Sequence, residues 1–181
     1  AFRQAQIYDA MGWDRPRFAH IPLIHGEDGK KLSKRHGAVS VLEFQEQGYL
    51  PEAVCNYLLR LGWAHGDVEL LDREEAVRLF DLDGVGRGAA RMDYAKLSHV
   101  NAHWLKQRDD AWLAAETARR LAGRPNLALG TTAIHRIAAL MPALKERAKT
   151  LVELADAAAF LAHSLPLPFT PSYIETPPEA L

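Results

Sequence analysis

Lys30-Lys31-Leu32-Ser33-Lys34-Arg35-His36-Gly37 is the stretch on which the reading of this chain turns. Lysine supplies a mobile point charge, arginine a rigid fork, and glycine (here Gly26, Gly29 and Gly37) lets a backbone approach a ligand closely. A loop of this makeup suits a phosphate chain. Upstream lie His20-Ile21-Pro22-Leu23-Ile24 and the turn His25-Gly26-Glu27-Asp28-Gly29. The spacing predicts two short extended pieces around that turn, with Pro22 confining the first to an edge or irregular strand. Downstream of Gly37 the pattern becomes helical and stays so.

The chain has 181 residues, enough for one compact domain or two small ones, with ordinary hydrophobic (48%) and charged (25%) content for a soluble protein. Cys55 is the single cysteine, which excludes an internal disulfide and argues against a cysteine-based zinc site. A reducing compartment follows as the default, and cytoplasmic location is expected. No run is apolar and long enough to span a bilayer, and Ala1-Phe2-Arg3-Gln4 does not open a signal peptide, so no membrane partner is expected. Ala1 is not methionine, which points to a start further upstream. The net charge of -1 hides basic stretches at residues 1–37 and 133–149, while no lysine or arginine follows Thr150. Local basic patches can hold a polyanion on a neutral protein; solvated helix faces are the plainer alternative.

Helix signals recur along the chain. Gln4 to Met11 reads as a short helix ending at Gly12. Ser40 with Glu43 is a capping box for a helix to about Gln47, stopped by Gly48. Pro51 opens a helix with Ala53, Val54, Tyr57, Leu58 and Leu61 on one face, ending at Gly62. Asp72 with Glu75 is a second capping box, for a helix to Phe80. Gly84, Gly86 and Gly88 lack a preceding strand and read as a turn rather than a dinucleotide site. Asp93 caps a helix with Leu97, Val100, Trp104 and Leu105 inward. Further helices are expected from Asp110 to Leu121, from Thr131 to a break at Met141-Pro142, and then as one long helix to about Ser164. The prolines from Pro166 to Pro178 read as a linker or arm.

The order His20-Ile21-Pro22-Leu23-Ile24, acidic-glycine turn, Lys31-Leu32-Ser33-Lys34-Arg35, capped helix resembles the glutamyl-tRNA synthetases, class I enzymes whose signature loop is the KMSKS motif. The resemblance continues through Phe44-Gln45-Glu46-Gln47-Gly48-Tyr49-Leu50-Pro51-Glu52-Ala53, Asn56-Tyr57-Leu58-Leu59-Arg60-Leu61-Gly62-Trp63 and Met92-Asp93-Tyr94-Ala95-Lys96-Leu97 with Val100-Asn101. It runs nearly unbroken from Tyr8 to Leu105 and is mainly a helical pattern after Asp109.

The resemblance implies a mainly α chain: the tail of a class I α/β catalytic domain at 1–37, a helical stem-contact domain at 38–108, a helical-bundle anticodon-binding subdomain at 109–165, and a Pro-rich linker at 166–181. It implies ATP and Mg²⁺, with L-glutamate and tRNA as partners, and a monomer. Lys34 is implied as the catalytic lysine that stabilises negative charge on the phosphates during glutamate activation. Lys31, Leu32, Ser33 and Arg35 complete the ATP-binding loop. Arg87, Arg91, Lys96, Lys106 and Arg108, around the helix expected at 93–105, are candidates for tRNA phosphate contact, against solvated faces. No metal site is expected at His20, His25 or His36. Glu27, Asp28 and Asp14 are left without a role. Trp63, Trp104, Phe80 and Tyr57 are expected to pack rather than stack on bases.

No HIGH-like string appears, and too little chain precedes the basic loop for a βαβ unit, so a fragment of a longer enzyme, inactive by itself, is expected. A free-standing helical RNA-binding module is one alternative. A glutaminyl-tRNA synthetase relative is another, disfavoured because that family's C-terminal half is built of β-barrels.

Overall fold

The computed structural model describes residues 1–32, 40–122, 124, 127 and 129–163. They form eight α-helices and one two-stranded sheet in two compact units, Ala1–Phe44 with Pro51–Val100, and Gln45–Leu50 with the chain from Asn101 onward. The expectation of a mainly α chain is met at that level.

In the first unit, α1 (Phe2–Ala10) buries none of its residues. It ends at Met11, and Gly12 turns the chain with φ 65°. Strand β1 (Ile24–His25) leads into the acidic-glycine turn, where Gly29 takes φ 74° and the Gly26 N–H donates to the Lys30 carbonyl at 2.8 Å. The chain returns antiparallel, with His25 opposite Lys31 and the Leu32 N–H donating to Ile24 at 3.1 Å. The two extended pieces expected at 20–24 and 30–33 are thus present in part: the first is a strand only at Ile24–His25, the second a bridge at Lys31, and Ser33 lies outside the described residues.

The partner of β1 on its other edge is β2 (Ala90–Arg91), which runs parallel to it with Ile24 opposite Ala90. No local pattern announces this pair, because each strand has two residues and the partners are far apart in sequence.

Helix α2 (Val41–Glu46) starts at Ser40, whose N–H donates to the Glu43 carboxylate at 3.0 Å and whose hydroxyl accepts from the Leu42 N–H at 3.3 Å. Helix α3 (Pro51–Gly62) buries Ala53, Val54, Asn56 and Tyr57, while Leu58 and Leu61 are only half-buried. Helix α4 (Arg73–Leu79) carries the full Asp72/Glu75 capping box. Trp63 is buried, donates its indole N–H to the Asp81 carbonyl at 3.0 Å, and lies 5.7 Å from the Phe80 ring. A Cβ on Gly84 would come within 2.4 Å of the Trp63 indole nitrogen, so that glycine is required by close approach. Helix α5 (Tyr94–Gln107) is capped by Asp93, which accepts the Lys96 N–H at 2.9 Å. It buries Leu97, Val100 and Leu105; Trp104, expected inward, is half-buried.

The second unit takes the C-terminal part of α5 together with α6 (Asp110–Ala122), α7 (Thr131–Leu144) and α8 (Leu151–Ala158), followed by a 3₁₀ turn at Ala159–Ala162. Leu113, Leu121, Ile137, Met141 and Leu154 are fully enclosed.

Two sequence expectations fail here. Pro142 lies inside α7 and does not break it; the helix runs on to Leu144. The long helix expected to Ser164 is instead interrupted, because Thr150 caps a new helix by accepting the Glu153 N–H at 3.1 Å, while the Glu153 carboxylate accepts the Lys149 N–H at 2.7 Å. That is a Thr-x-x-Glu start signal, stronger than the continuing apolar period around it.

Within this unit, Asn101 is fully buried, accepts the Leu50 N–H at 2.7 Å and donates to the Lys149 carbonyl. Gly48, at φ 85°, accepts the Leu151 N–H at 2.9 Å, and a Cβ there would meet the Val152 nitrogen at 2.7 Å. The proline-rich stretch from Pro166 lies outside the described residues.

Candidate functional site

The base of the basic loop is built by the turn at 25–32. The Asp28 carboxylate accepts the Lys30 N–H at 2.9 Å and lies 3.9 Å from the Lys30 ammonium, closing the turn on itself. The Glu27 carboxylate reaches the Tyr94 N–H at 3.3 Å. The carboxylate thus accepts an N–H of the first turn of α5, and the turn is tied to that helix. The parallel pair adds a second tie, through Ala90 N–H to Leu23 at 3.1 Å and Met92 N–H to His25 at 2.8 Å. Lys31 is exposed and Leu32 half-buried; Ser33, Lys34 and Arg35 lie outside the described residues. A small cavity of ≈ 180 Å³ opens here, lined by Glu27, Asp28, Lys30, Lys31, Leu32 and Tyr94.

The start of α5 is held from beneath by Tyr57. Its hydroxyl accepts the Asp93 N–H at 2.6 Å, and burial pushes the phenol's pKa upward, so it stays neutral. Glu27 thus has a positional role that sequence reasoning left unassigned. Its only sequence signal is its place in the acidic turn.

The expected cation positions are divided between the two units, with Arg87, Arg91 and Lys96 in the first and Lys106 and Arg108 in the second. Arg87 and Arg91 are exposed. Arg91, with Glu27, Met92 and Asp93, borders an open depression of ≈ 490 Å³. Lys96 pairs with Glu69 at 2.6 Å, and Lys106 with Glu146 at 2.9 Å. The Arg108 guanidinium lies 4.9 Å from the centre of the Trp112 ring. The Lys96 hydrogen bond and charge, with Arg60 and His99 adding to them, hold the Glu69 carboxyl below the usual glutamate range. Arg60 and His99 are basic neighbours that spacing alone did not single out. Among the described residues no group of three or more His, Cys, Asp or Glu is placed to hold a metal ion. Among the same residues no helix is long and apolar enough to cross a membrane.

Residues 2–99 match the family described as tRNA synthetases class I (E and Q), catalytic domain. A glutamate–tRNA ligase 1 of Gluconobacter oxydans is 65% identical over 170 residues, covering 94% of this chain and 36% of that protein. The corresponding ligase of Acidiphilium cryptum is 67% identical over 169 residues, covering 93% of this chain and 36% of its own length. A crystal structure of glutamate-tRNA synthetase from Elizabethkingia anophelis aligns with a TM-score of 0.71 at 30% identity, over 90% of this chain and 36% of that one. This chain thus spans about a third of the length of the curated relatives it matches. The family match covers more than half of its residues, and the chain belongs to the class I tRNA synthetases of the E and Q group.

Proposed function

We propose that the chain is part of a glutamate–tRNA ligase, an enzyme that activates L-glutamate with ATP and transfers it to the 3′ end of tRNA. The observation that carries this is identity of 65% and 67% to relatives bearing that name, over 94% and 93% of this chain. The helical second unit favours glutamate over glutamine, since glutaminyl relatives are expected to carry β-barrels in that half.

ATP fits the residues present at the loop base. Lys30 and Lys31 are exposed beside a glycine turn in which Gly29 leaves open space for a close neighbour. Lys31, Leu32, Ser33, Lys34 and Arg35 are the residues that would hold the phosphates, and Lys34 would offset the negative charge that develops there during glutamate activation. Lysine suits this task because its charge follows the moving phosphate oxygens. Leu32, half-buried, would anchor the loop. The described residues offer no ligand set for Mg²⁺, and no step is assigned to it.

Residues 1–37 would serve the catalytic domain, 38–108 the tRNA stem and 109–165 the anticodon side. Arg87, Arg91, Lys96, Lys106 and Arg108 would contact tRNA phosphates. Lys106 and Lys96 must exchange their carboxylate partners to do so. A monomer in the cytoplasm completes the reading.

The test is glutamate-dependent ATP–pyrophosphate exchange. The chain alone is expected to show none above background. Joined to the preceding region of its reading frame it should be active, and Lys34→Ala there should lower the rate about 10²–10³-fold. Full activity of the Lys34→Ala enzyme would sink the assignment of that lysine. Exchange with glutamine in place of glutamate would move the chain to the sister family.

A further inference from the structure

Two acids stand side by side in the turn beneath the basic loop, and the fold gives them different partners. Asp28 serves the turn itself, accepting the Lys30 N–H at 2.9 Å and lying 3.9 Å from the Lys30 ammonium. Glu27 leaves the turn and accepts the Tyr94 N–H at 3.3 Å. Tyr94 opens α5, where the aligned peptide dipoles favour a negative charge. Glu27 and Lys31 line the same small cavity, and Lys31 is exposed. Among the described residues no carboxylate forms an ion pair with Lys31. A loose carboxylate in that cavity would compete with a phosphate for the Lys31 ammonium; one docked on α5 has its charge met elsewhere.

The same contact bears on where the turn sits. Strand β1 is tied along one edge by the Ala90 N–H to Leu23 at 3.1 Å and the Met92 N–H to His25 at 2.8 Å, and those bonds stop at His25. Beyond it the turn is closed on itself, through the Gly26 N–H to the Lys30 carbonyl at 2.8 Å and through Asp28, before Lys31 returns opposite His25. A turn closed in this way can pivot about His25 without breaking its own hydrogen bonds. Glu27 ties it to α5 beyond the end of the strand pair. The start of α5 is itself fixed: the Asp93 carboxylate accepts the Lys96 N–H at 2.9 Å, and the Asp93 N–H donates to the buried Tyr57 hydroxyl at 2.6 Å.

We infer that Glu27 is a positioning residue for ATP use: docked on the first turn of α5, it fixes the turn that presents Lys31 to the phosphates and keeps its own charge from that ammonium. The role of ATP rests on the ligase reading above; the contact rests on the geometry. Glu27 acts through Lys31 rather than on the substrate. A misplacement of about 1 Å can cost about 10²-fold in rate, so losing one tie among several is expected to cost about tenfold.

The experiment has two readouts. In the chain itself, Glu27→Ala should quicken hydrogen exchange at the Tyr94 amide and leave the Gly26 amide unchanged, since the Gly26 bond lies inside the turn. In the ligase formed with the preceding region of the reading frame, glutamate-dependent pyrophosphate exchange is followed. There Glu27→Ala should lower kcat/KM for ATP about tenfold and leave the KM for glutamate unchanged. The thermal midpoint should stay in place, because exposed substitutions of this kind rarely move stability. Glu27→Gln keeps an acceptor oxygen without the charge and should lose about threefold. It also takes the place of Glu27→Ala if that variant does not fold. In a Lys31→Ala background the Glu27 substitution should cost nothing further, because the lysine it positions is gone. A full loss in that background would overturn the assignment, as would an unchanged Tyr94 amide. An active parent ligase whose kcat/KM for ATP is untouched by Glu27→Ala would overturn this inference alone. A parent ligase with no exchange activity would overturn the ligase reading and this inference together.

Discussion

The two units reach stability by different routes. In the second, Leu105, Leu113, Leu121, Ile137, Met141 and Leu154 are all fully enclosed, and α6 packs against both α7 and α8. In the first, Ala53 and Leu97 are the only apolar residues among those described to reach zero exposure, while Phe2, Ile7, Met11, Trp13, Ile21 and Leu23 stay largely open. The first unit has a smaller apolar core, in which Phe44, Val54, Trp63, Leu71, Met92 and Val100 are also buried, and a set of single polar contacts ties its short elements to that core. Glu27 meets Tyr94, Tyr57 meets Asp93, and Asn56 bridges Glu69 and Leu71. The bundle distributes its stability over many dispersion contacts, and in the first unit a few geometrically specific polar contacts add to a smaller buried core. Of the candidate phosphate contacts, Arg87, Arg91 and Lys96 belong to the first unit and Lys106 and Arg108 to the second, so the proposed tRNA contacts draw on both kinds of scaffold.

The sharpest break in this comparison should come from Leu113→Ala. A large cavity in the bundle is expected to cost about 2–5 kcal/mol, read as loss of hydrogen-exchange protection across α6, α7 and α8. If protection fell equally in residues 51–100, the division into two differently built units would be wrong.

Asn101→Ala comes next, at about 2–3 kcal/mol, because it strands the Leu50 N–H and the Lys149 carbonyl in a buried place. Its effect should exceed that of any exposed polar substitution in the bundle. Urea denaturation of the variant measures it.

In the first unit, Tyr57→Phe should cost about 1–2 kcal/mol and loosen the first turn of α5. The raised pKa of Tyr57 sets the sign of a pH effect. Its contribution is complete below the pKa of an unfolded tyrosine and is lost as pH rises through the higher folded value. Alkaline unfolding of the parent chain should therefore be steeper than that of Tyr57→Phe.

The smallest expected effect is on the acid side. A hydrogen bond from Arg119, partly opposed by burial and helped by the charges of Arg119 and Arg120, lowers the pKa of Glu116. Its contribution is present above the ordinary glutamate range and disappears as pH falls through the lowered value. Glu116→Gln should flatten the acid limb of the thermal midpoint and leave it unchanged in shape above neutrality.

What could be read in advance divides along physical lines. The starts at Ser40, Asp72 and Asp93 are local: the capping side chain and its target lie three residues apart, so sequence carries the whole signal. The pairing of Ile24 with Ala90 is non-local and carried by two-residue strands, below the length at which alternation means anything. Pro142 misleads because it falls in the last turns of α7, where the ladder it interrupts is nearly finished. Thr150 was legible and outweighed: its start signal is embedded in an apolar period that continues on both sides of it. Of the candidate site, the basic loop and Lys96 stand out by charge alone. Glu27 does not, because what makes it matter is the first turn of α5 that the fold brings to its carboxylate.

The hexapeptide Gln45–Leu50 belongs to a unit whose remainder begins only after Val100. It leaves the ribosome early and must wait for Leu151 to claim the Gly48 carbonyl and for Asn101 to claim the Leu50 N–H. The bundle is thus a discontinuous piece of chain with Pro51–Val100 inserted into it. Loop closure across an insertion of this length is cheap, growing by only about 0.6 kcal/mol per doubling, so the toll is paid in folding order rather than in final stability. One practical result is that a dissection cut at Asn101 would release three helices without their first segment. The natural seam for an autonomous bundle lies instead before Gln45, with the insertion replaced by a short linker.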